Sequence, residues 1–288
     1  TELKGHLVTT RLLDWHYNYS LIRNSLIMVQ IPSEADEHPW LSFVFSGFIG
    51  AISSIDTTGL ISIFHVESNP ESPIDTICTP MGFTLREAME KSDYNHDNVR
   101  DEQDVVEAVY NMKRSATYII HVAKDRGLLS NPLSVECNHL DQPAIRSVVH
   151  NTIIPGQNLV QTNHFRILRN PISCKRYQNI ADSLNRDSLI TRNRSWRVAK
   201  CAASNATVPY MTIKMLQFAP SLNKIRCSIA KDGMLATSVP YTEFPIDSLF
   251  YSLIDEVHAY DLIITKKSLI ANKDRVFITT KFINRIDR

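Results

Sequence analysis

Glycine is the residue that this 288-residue sequence most clearly lacks. It has only 8 glycines, whereas average usage of about 7% would place roughly 20 in a chain of this length. Neither of the glycine-rich phosphate-binding patterns, G-x-G-x-x-G and G-x-x-x-x-G-K-[ST], occurs, and H-E-x-x-H and G-x-S-x-G are absent as well. These absences exclude a nucleotide-binding enzyme of either type, an H-E-x-x-H metalloprotease and an α/β-hydrolase nucleophile elbow.

The sequence also lacks an excess of charge of either sign and any long hydrophobic run. It has 31 basic and 30 acidic residues, for a net charge of +1, which argues against a nucleic-acid-binding protein that depends on attraction to phosphates. The longest stretch without Asp, Glu, Lys, Arg or His spans the 17 residues from Pro39 to Ile55 and contains four serines. A membrane-spanning helix needs about 20 mostly apolar residues. We therefore expect no transmembrane segment and interpret this stretch as two buried strands around a turn.

Cysteine is scarce and scattered, with five residues and no C-x-x-C pair. An odd number without paired spacing argues against a disulfide framework and against a zinc ribbon. The ten histidines show no paired ligand spacing, and we interpret the single cluster Cys137-Asn138-His139 as a surface loop. We expect no metal and no cofactor. The composition, 43% hydrophobic and 21% charged, is that of a soluble globular protein, and we favour the cytoplasm slightly over secretion.

Hydrophobic periodicity indicates an α+β protein. Two helices are predicted between residues 83 and 114, and a third amphipathic helix includes Tyr177 to Leu184. The β-rich runs include Ser25 to Ile31, Leu41 to Phe48, Leu60 to Val66, Asn158 to His164 and Met211 to Phe218. This order, with short hairpin connections, predicts antiparallel sheets rather than βαβ units. No internal repeat or low-complexity linker occurs, so we expect a single domain over residues 1–288.

Three short segments combine the remaining conspicuous polar residues. Arg11-Leu12-Leu13-Asp14-Trp15 follows a predicted strand, Gln161-Thr162-Asn163-His164-Phe165 ends another, and Ser173-Cys174-Lys175-Arg176-Tyr177 begins a predicted helix. In order and chemistry they resemble the linear-amide carbon–nitrogen hydrolases of the N-terminal-nucleophile superfamily. That group carries R-N-x-D-[WYF], T-N-[HYR] and S-x-x-R-[YF] segments, and it includes choloylglycine hydrolase, penicillin V acylase, isopenicillin N acyltransferase and acid ceramidase. The T-N-H-F form is most similar to the isopenicillin N acyltransferase branch.

The resemblance implies a four-layer αββα sandwich, with two antiparallel sheets between two layers of helices. The segment from Ser46-Gly47-Phe48-Ile49-Gly50 to Thr58-Gly59-Leu60 is similar to the glycine-rich segment of the family. The family-like core extends over residues 1 to about 254, and residues 255–288 are then a C-terminal extension. That extension is interpreted as an interface or an added pair of strands.

The resemblance also implies an activity, the hydrolysis or acyl transfer of a linear amide through an acyl-enzyme intermediate. Family members attack the amide with an N-terminal cysteine, whose own α-amine acts as the general base. Arg11 would favour the thiolate, Asp14 would hold the α-amine by a charge-assisted hydrogen bond, and Asn163 would donate to the oxyanion. Arg176 matches an active-site arginine. The expected partner is a small-molecule amide, with no nucleic acid, and a homo-oligomer is left open.

Each of these residues also has a purely structural interpretation. Arg11 and Asp14 would form an ion pair at the surface or at a strand edge, and Asn163 would cap the end of a strand. Arg176 lies at a predicted helix start, where the helix dipole disfavours a cation, so a purely structural role is less natural for it. His65 and Trp15 are assigned to substrate binding, although His65 would otherwise be a buried histidine bonded to backbone.

The nucleophile departs most from the family pattern, because none of the five cysteines lies near the start of the sequence. In the family the cysteine begins a strand that forms a hairpin with the strand preceding the R-N-x-D segment, and Gly5 resembles the turn of that hairpin. Three interpretations remain open. The nucleophile is a cysteine upstream of Thr1, or Thr1 itself, or the protein has lost catalysis and is a ligand-binding or assembly module on the same fold. An unrelated α+β protein with chance motifs is a further alternative.

Overall fold

The structure is a computed structural model of the chain. It describes residues 3–16, 19–67, 78–114, 116–139, 141–154, 156–186, 190–203, 210–231 and 233–251. Thr1 and the expected C-terminal extension, residues 255–288, lie outside these ranges, so neither expectation is tested.

Eleven strands and six α-helices occur within the described ranges. The strands are β1 (Thr9–His16), β2 (Ser25–Gln30), β3 (Trp40–Phe45), β4 (Ser53–Asp56), β5 (Leu60–Val66), β6 (Tyr118–Lys124), β7 (Leu133–Cys137), β8 (Ala144–Arg146), β9 (Tyr210–Ala219), β10 (Lys224–Ile229) and β11 (Thr242–Pro245). The helices are α1 (Tyr19–Arg23), α2 (Met81–Glu90), α3 (Glu102–Asn111), α4 (Lys175–Arg186), α5 (Arg192–Lys200) and α6 (Ile246–Tyr251).

The strands form two antiparallel sheets. A seven-stranded sheet has the order β2-β3-β4-β5-β6-β7-β8, so each of its strands pairs with the next one along the chain. A four-stranded sheet has the order β1-β9-β10-β11 and joins β1 to strands from the far end of the described chain. Every pairing in both sheets is antiparallel, as the short hairpin connections predicted.

An apolar core holds the two sheets face to face. It combines inward side chains of the seven-stranded sheet, such as Phe43 and Ile61, with those of the four-stranded sheet, such as Ile213 and Phe218. The rings of Phe43 and Phe218 meet edge to face with their centroids 5.9 Å apart. Burying one large apolar side chain stabilises a fold by about 1.5–3 kcal/mol, so this double layer is the main source of cohesion between the sheets.

Helices cover the outer faces of both sheets. On the seven-stranded sheet, Leu85 of α2 and Val109 of α3 pack with Leu60 and Ile120. On the four-stranded sheet, Trp196 of α5 packs on Met215, and α4 lies beside α5. The predicted αββα sandwich with two antiparallel sheets is therefore confirmed.

Two of the few glycines are required where the loop after β3 meets the start of α2. A Cβ atom on Gly50 would lie 2.7 Å from the carbonyl carbon of Gly82, and one on Gly82 would lie 2.7 Å from Cζ of Phe48. Real side chains do not approach so closely, and the Ala51 N–H donates to the Gly82 carbonyl at 2.9 Å across the same contact. The two glycines thus allow the backbones to touch and hold the Phe48 ring in place.

The strand predicted from Asn158 to His164 is absent. Residues Asn158 to His164 form no strand or helix, although they contain a β-rich apolar run. Helix α5 was not predicted, because its sequence is dominated by arginines and only Trp196 and Val198 supply buried apolar side chains. The longest helix among the described residues, α4, has 12 residues. Helices in this part of the chain are consequently too short to cross a bilayer.

Candidate active site

Arg11 on β1 connects the two sheets through its guanidinium group. Its side chain is only 4% exposed, and Nη1 donates to the Ile52 carbonyl at 2.8 Å and to the Ser53 hydroxyl, while Nη2 donates to the Phe64 carbonyl at 3.1 Å. Burial lowers the pKa of Arg11 to about 9, and the nearby Asp14 carboxylate opposes that shift. Arg11 therefore remains a buried cation at neutral pH, and the interpretation as a surface ion pair is wrong.

Asp14 follows a break in the strand register. Leu13 pairs with Lys214, but Asp14 pairs with Thr212, so β9 has one extra residue at this point. Such a bulge re-aims the side chains beside it. The Asp14 carboxylate accepts the Thr212 hydroxyl at 2.6 Å and Nη1 of Arg176 at 2.5 Å, so both of its oxygens are engaged.

Arg176 in the first turn of α4 joins two of the sequence motifs. Beside its bond to Asp14, its Nη2 donates to Oδ1 of Asn163 at 2.7 Å. The planar guanidinium fork can serve two acceptors at fixed geometry. The carboxylate of Asp14 also compensates the unfavourable placement of a cation at a helix start.

Asn163 has a defined amide orientation, because its oxygen accepts from Arg176 and its Nδ2 donates to the Val66 carbonyl at 2.7 Å. An amide nitrogen carries two hydrogens, and Val66 accepts one of them. Within the part of the chain that the structure describes, the second has no acceptor. Asn163 itself lies in an irregular segment, but Val66 is the last residue of β5, so this bond also caps the end of a strand.

These residues meet at an apolar cavity of about 240 Å³ between the sheets. Its apolar walls are Leu13, Leu21, Phe45, Phe48, Ile52, Phe64 and Val66. Its other lining residues are Arg11, Asp14, Trp15, His65 and Asn163, all assigned to the site from the sequence. Arg176 reaches the group through Asp14 and Asn163. The cavity combines apolar walls with hydrogen-bonding groups, as small-molecule sites usually do.

The two residues assigned to substrate binding occupy different places on this cavity. Trp15 is 43% exposed and lies at its rim. His65 on β5 lies deeper, and burial lowers its pKa well below 6.5, with Arg11, His121 and Arg176 adding to the shift. His65 is therefore neutral at pH 7. Its ring also lines a second cavity.

The second cavity, of about 190 Å³, follows β1 on the side away from β9. Its lining includes residues 7–12, which enter and begin β1, and residues 157–161. Three residues of α5, Ser195, Val198 and Ala199, also line it. In the described part of the four-stranded sheet, β1 is an outer strand. Leu7 and Val8 lie immediately after a tight turn at the start of the described chain.

Residues Leu3 to His6 form a reverse turn at the start of the described chain. The His6 N–H donates to the Leu3 carbonyl at 2.7 Å. The two central residues, Lys4 and Gly5, have φ of 44° and 88°. Positive φ at both positions is the requirement of a type I′ turn, the turn that joins antiparallel strands in hairpins. The predicted turn at Gly5 is therefore present.

The cysteines of the described chain do not line the cavity that holds Asp14 and Asn163. Cys137 and Cys227 are buried, and burial raises the pKa of the Cys137 thiol to about 12, which makes it unreactive. Cys137 ends β7 and Asn138 is buried beside it, so the interpretation of Cys137-Asn138-His139 as a surface loop is wrong. Sequence reasoning did not identify Thr212 or the apolar walls, because nothing local to those residues distinguishes them from other strand residues.

Comparisons with known proteins find similar solved structures but no similar sequence family. No protein-family model matches the sequence, and no curated protein matches it. Among solved structures, the N-acylethanolamine-hydrolyzing acid amidase ortholog of Caenorhabditis elegans is similar with a TM-score of 0.54 at 14% identity, covering 75% of this chain and 88% of that one. Penicillin V acylase from Agrobacterium tumefaciens has a TM-score of 0.52 at 11% identity, covering 88% of this chain and 86% of that one. This chain therefore shares the fold of both enzymes, the fold that the three motifs predicted.

Proposed function

We propose that this protein hydrolyses a linear amide, or transfers its acyl group to another acceptor, and that the acyl group is apolar. The observation that carries the proposal is the hydrogen-bonded group of Asp14, Arg176 and Asn163 at an apolar cavity. The names of the two similar structures, an acid amidase and a penicillin acylase, support the same reaction class. The apolar walls would receive the acyl chain and leave the amide beside the polar groups.

The proposed nucleophile is a cysteine that begins a strand preceding Thr1. A two-residue hairpin pairs residues at equal distances from its turn, and Leu3 faces His6 across Lys4-Gly5. Continuing that register, the residue opposite Asp14 lies several positions before Thr1. A strand there would follow β1 along the second cavity and place its first residue beside the Asp14 carboxylate.

The same register disfavours Thr1 as the nucleophile. Counted from the turn, Thr1 would face Val8, six residues before Asp14. At about 3.3 Å per residue that is roughly 20 Å along the strand, so a partner strand in this register would meet the Asp14 carboxylate with a residue upstream of Thr1.

The proposed reaction uses the described residues in a fixed order. Asp14 accepts a hydrogen bond from the α-amine, and the cationic Arg11 stabilises the negative charge that develops on sulfur as the thiol loses its proton. The α-amine removes the thiol proton as sulfur attacks the amide carbonyl, and the free N–H of Asn163 donates to the resulting oxyanion. The α-amine then returns the proton to the leaving amine. Water or an acceptor amine then attacks the thioester with the α-amine as base, and the C–S bond breaks, which releases the acid or the new amide and a cysteine sulfur that the α-amine reprotonates.

An intact-mass measurement tests this proposal. Protein purified from its native source is sequenced from its N-terminus and incubated with octanoyl p-nitrophenyl ester. The expected result is an N-terminal cysteine and one octanoyl adduct on that residue. Absence of any adduct on the N-terminal residue of the mature protein would overturn the hydrolase proposal. A long uncleaved leader would instead favour a binding or assembly module.

A further inference from the structure

Asn163 lies in a segment without regular secondary structure, yet the backbone on both sides of it is held by one side chain. The amide nitrogen of Gln161 donates to the Thr162 carbonyl at 2.6 Å and to the His164 carbonyl at 3.3 Å. These are the two residues that flank Asn163 in the sequence. Gln161 therefore acts as a clamp around Asn163, with both of its N–H groups used.

The Gln161 side chain is itself anchored to the seven-stranded sheet. Its oxygen accepts from the Ser134 hydroxyl at 2.8 Å and from the Arg146 guanidinium. Arg146 is fully buried, and its Nη2 also donates to the Val160 carbonyl at 2.7 Å. Ser134 on β7 and Arg146 on β8 are paired residues in that sheet, so a rigid element determines where Gln161 lies.

A buried carboxylate fixes the other side of the segment. Glu136 on β7 is fully buried. It accepts the backbone N–H groups of Arg166, Ile167 and Leu168 at 2.8–3.0 Å. A buried backbone N–H or carbonyl that is not paired within a sheet needs another hydrogen-bond partner. Side chains of β7 and β8 provide those partners on both sides of Asn163.

We propose that Gln161 is a positioning residue that holds Asn163 where its free N–H meets the oxyanion. The proposal rests on the function proposed above. Two bonds fix the Asn163 amide, from Arg176 and to Val66, but they set its orientation only if its Cα stays in place. The Gln161 clamp holds that Cα in place, because it binds the carbonyls on both sides of Asn163. A displacement of about 1 Å at a reacting group can lower a rate about 10²-fold.

The test is Gln161→Glu in the mature, full-length protein. Glutamate has nearly the same shape and keeps an acceptor for Ser134 and Arg146, but it removes both N–H donors and faces two carbonyl oxygens. For octanoyl p-nitroanilide we expect kcat to fall by about 10²-fold, with KM changed less than about threefold because the apolar walls are untouched. Gln217→Glu is the matched control. Gln217 is more buried than the half-buried Gln161, and its amide likewise donates to two acceptors, Thr10 Oγ1 at 3.0 Å and the Arg192 carbonyl at 2.9 Å.

A second pair of variants covers the case in which Gln161→Glu does not fold. Ser134→Ala removes one anchor of Gln161 and should lower kcat about threefold to tenfold. Ser62→Ala on β5 is its control, because Ser62 is equally buried and its hydroxyl has no hydrogen-bond partner among the described residues. The same kcat in both serine variants would overturn the proposal.

The side-chain ¹⁵N–¹H signals of Asn163, assigned with Asn163→Asp, separate this proposal from the proposed function. They should shift or broaden in Gln161→Glu and stay unchanged in Gln217→Glu. If they are unchanged in Gln161→Glu, the positioning role is refuted. If wild type turns over no amide but these signals respond as expected, the clamp is supported and the hydrolase proposal fails.

Discussion

Arg176 and Asp14 form an ion pair of 2.5 Å although 162 residues separate them in the sequence. The same guanidinium reaches Asn163 with its second nitrogen. One side chain thus links the three motifs, on β1, in the irregular segment and on α4. The two bonds engage Oδ2 of Asp14 and Oδ1 of Asn163, so they fix the orientation of both side chains.

Replacing Arg176 with lysine should break this link without removing the charge. A single ammonium cannot reproduce the two fixed directions of the guanidinium fork, so the Asp14 and Asn163 bonds cannot both be kept. We expect kcat for octanoyl p-nitroanilide to fall by about 10²-fold. Arg186→Lys at the exposed end of the same helix should change it less than twofold, and equal rates in the two variants would contradict the role of Arg176.

Arg11→Leu should lower stability strongly. It removes the Arg11 donor from the Phe64 carbonyl and the Ser53 hydroxyl, whereas the Ile52 carbonyl keeps the Phe64 N–H at 3.2 Å, and each unsatisfied group costs about 1–3 kcal/mol. In a protein of this size we expect Tm to fall by about 10 °C, measured by calorimetry. Arg86→Leu removes a partly covered i,i+4 pair with Glu90 at 2.8 Å within α2, and a helix pair of this spacing is worth under about 1 kcal/mol. If Arg11→Leu lowers Tm no more than Arg86→Leu does, the buried hydrogen bonds of Arg11 contribute little to stability.

The cavity walls should set the preference for acyl chain length. Leu21 of α1 lines the cavity, so Leu21→Trp should shift the preferred substrate among acyl p-nitroanilides toward shorter chains. Leu21→Ala should shift it toward longer ones, because a buried CH₂ contributes about 0.8 kcal/mol to binding. Leu129→Trp, at a residue 81% exposed, serves as the control. Identical chain-length profiles in all three variants would place the acyl group elsewhere.

A buried lysine should make stability depend on pH. Lys214 is 1% exposed, its Nζ donates to the Val44 carbonyl at 2.6 Å, and it lies 3.8 Å from the centroid of the Phe45 ring. Burial lowers the pKa of Lys214 from 10.5 to about 7, with the Cys227 thiol opposing the shift and Arg11 adding to it.

The direction of this pH dependence follows from whether the folded or the unfolded state binds the proton of Lys214 more tightly. Between pH 7 and 10.5 the unfolded lysine is protonated and the folded one is not, so this group makes stability rise with pH across that window, by up to about 1.4 kcal/mol per unit. Below about pH 7 the folded state carries the full desolvation penalty. Lys214→Met should therefore gain most over wild type at pH 6, and the gain should shrink toward pH 10 in urea unfolding. The exposed Lys200→Met should show no such trend.

Much of the fold could be predicted from local pattern. Strands β2, β3 and β5 were predicted within three residues of their bounds, because their apolar residues are nearly continuous. The prediction for Asn158 to His164 failed for a physical reason. That segment has strand-like side chains, but its backbone groups bond to Arg146, Gln161 and Asn151 instead of a neighbouring strand. Local propensity contains no information about such partners.

The residue types and order of the three motifs were enough to indicate the fold and the residues that gather at the site. The sequence also placed the turn at Gly5, because glycine there permits a positive φ. Only the tertiary structure decided that Arg11 is buried, that Arg176 binds Asp14 and Asn163 together, and that one N–H of the Asn163 amide has no acceptor among the described residues. Those outcomes depend on contacts between residues far apart in the chain, and such contacts form only when the sheets and helices have packed around them.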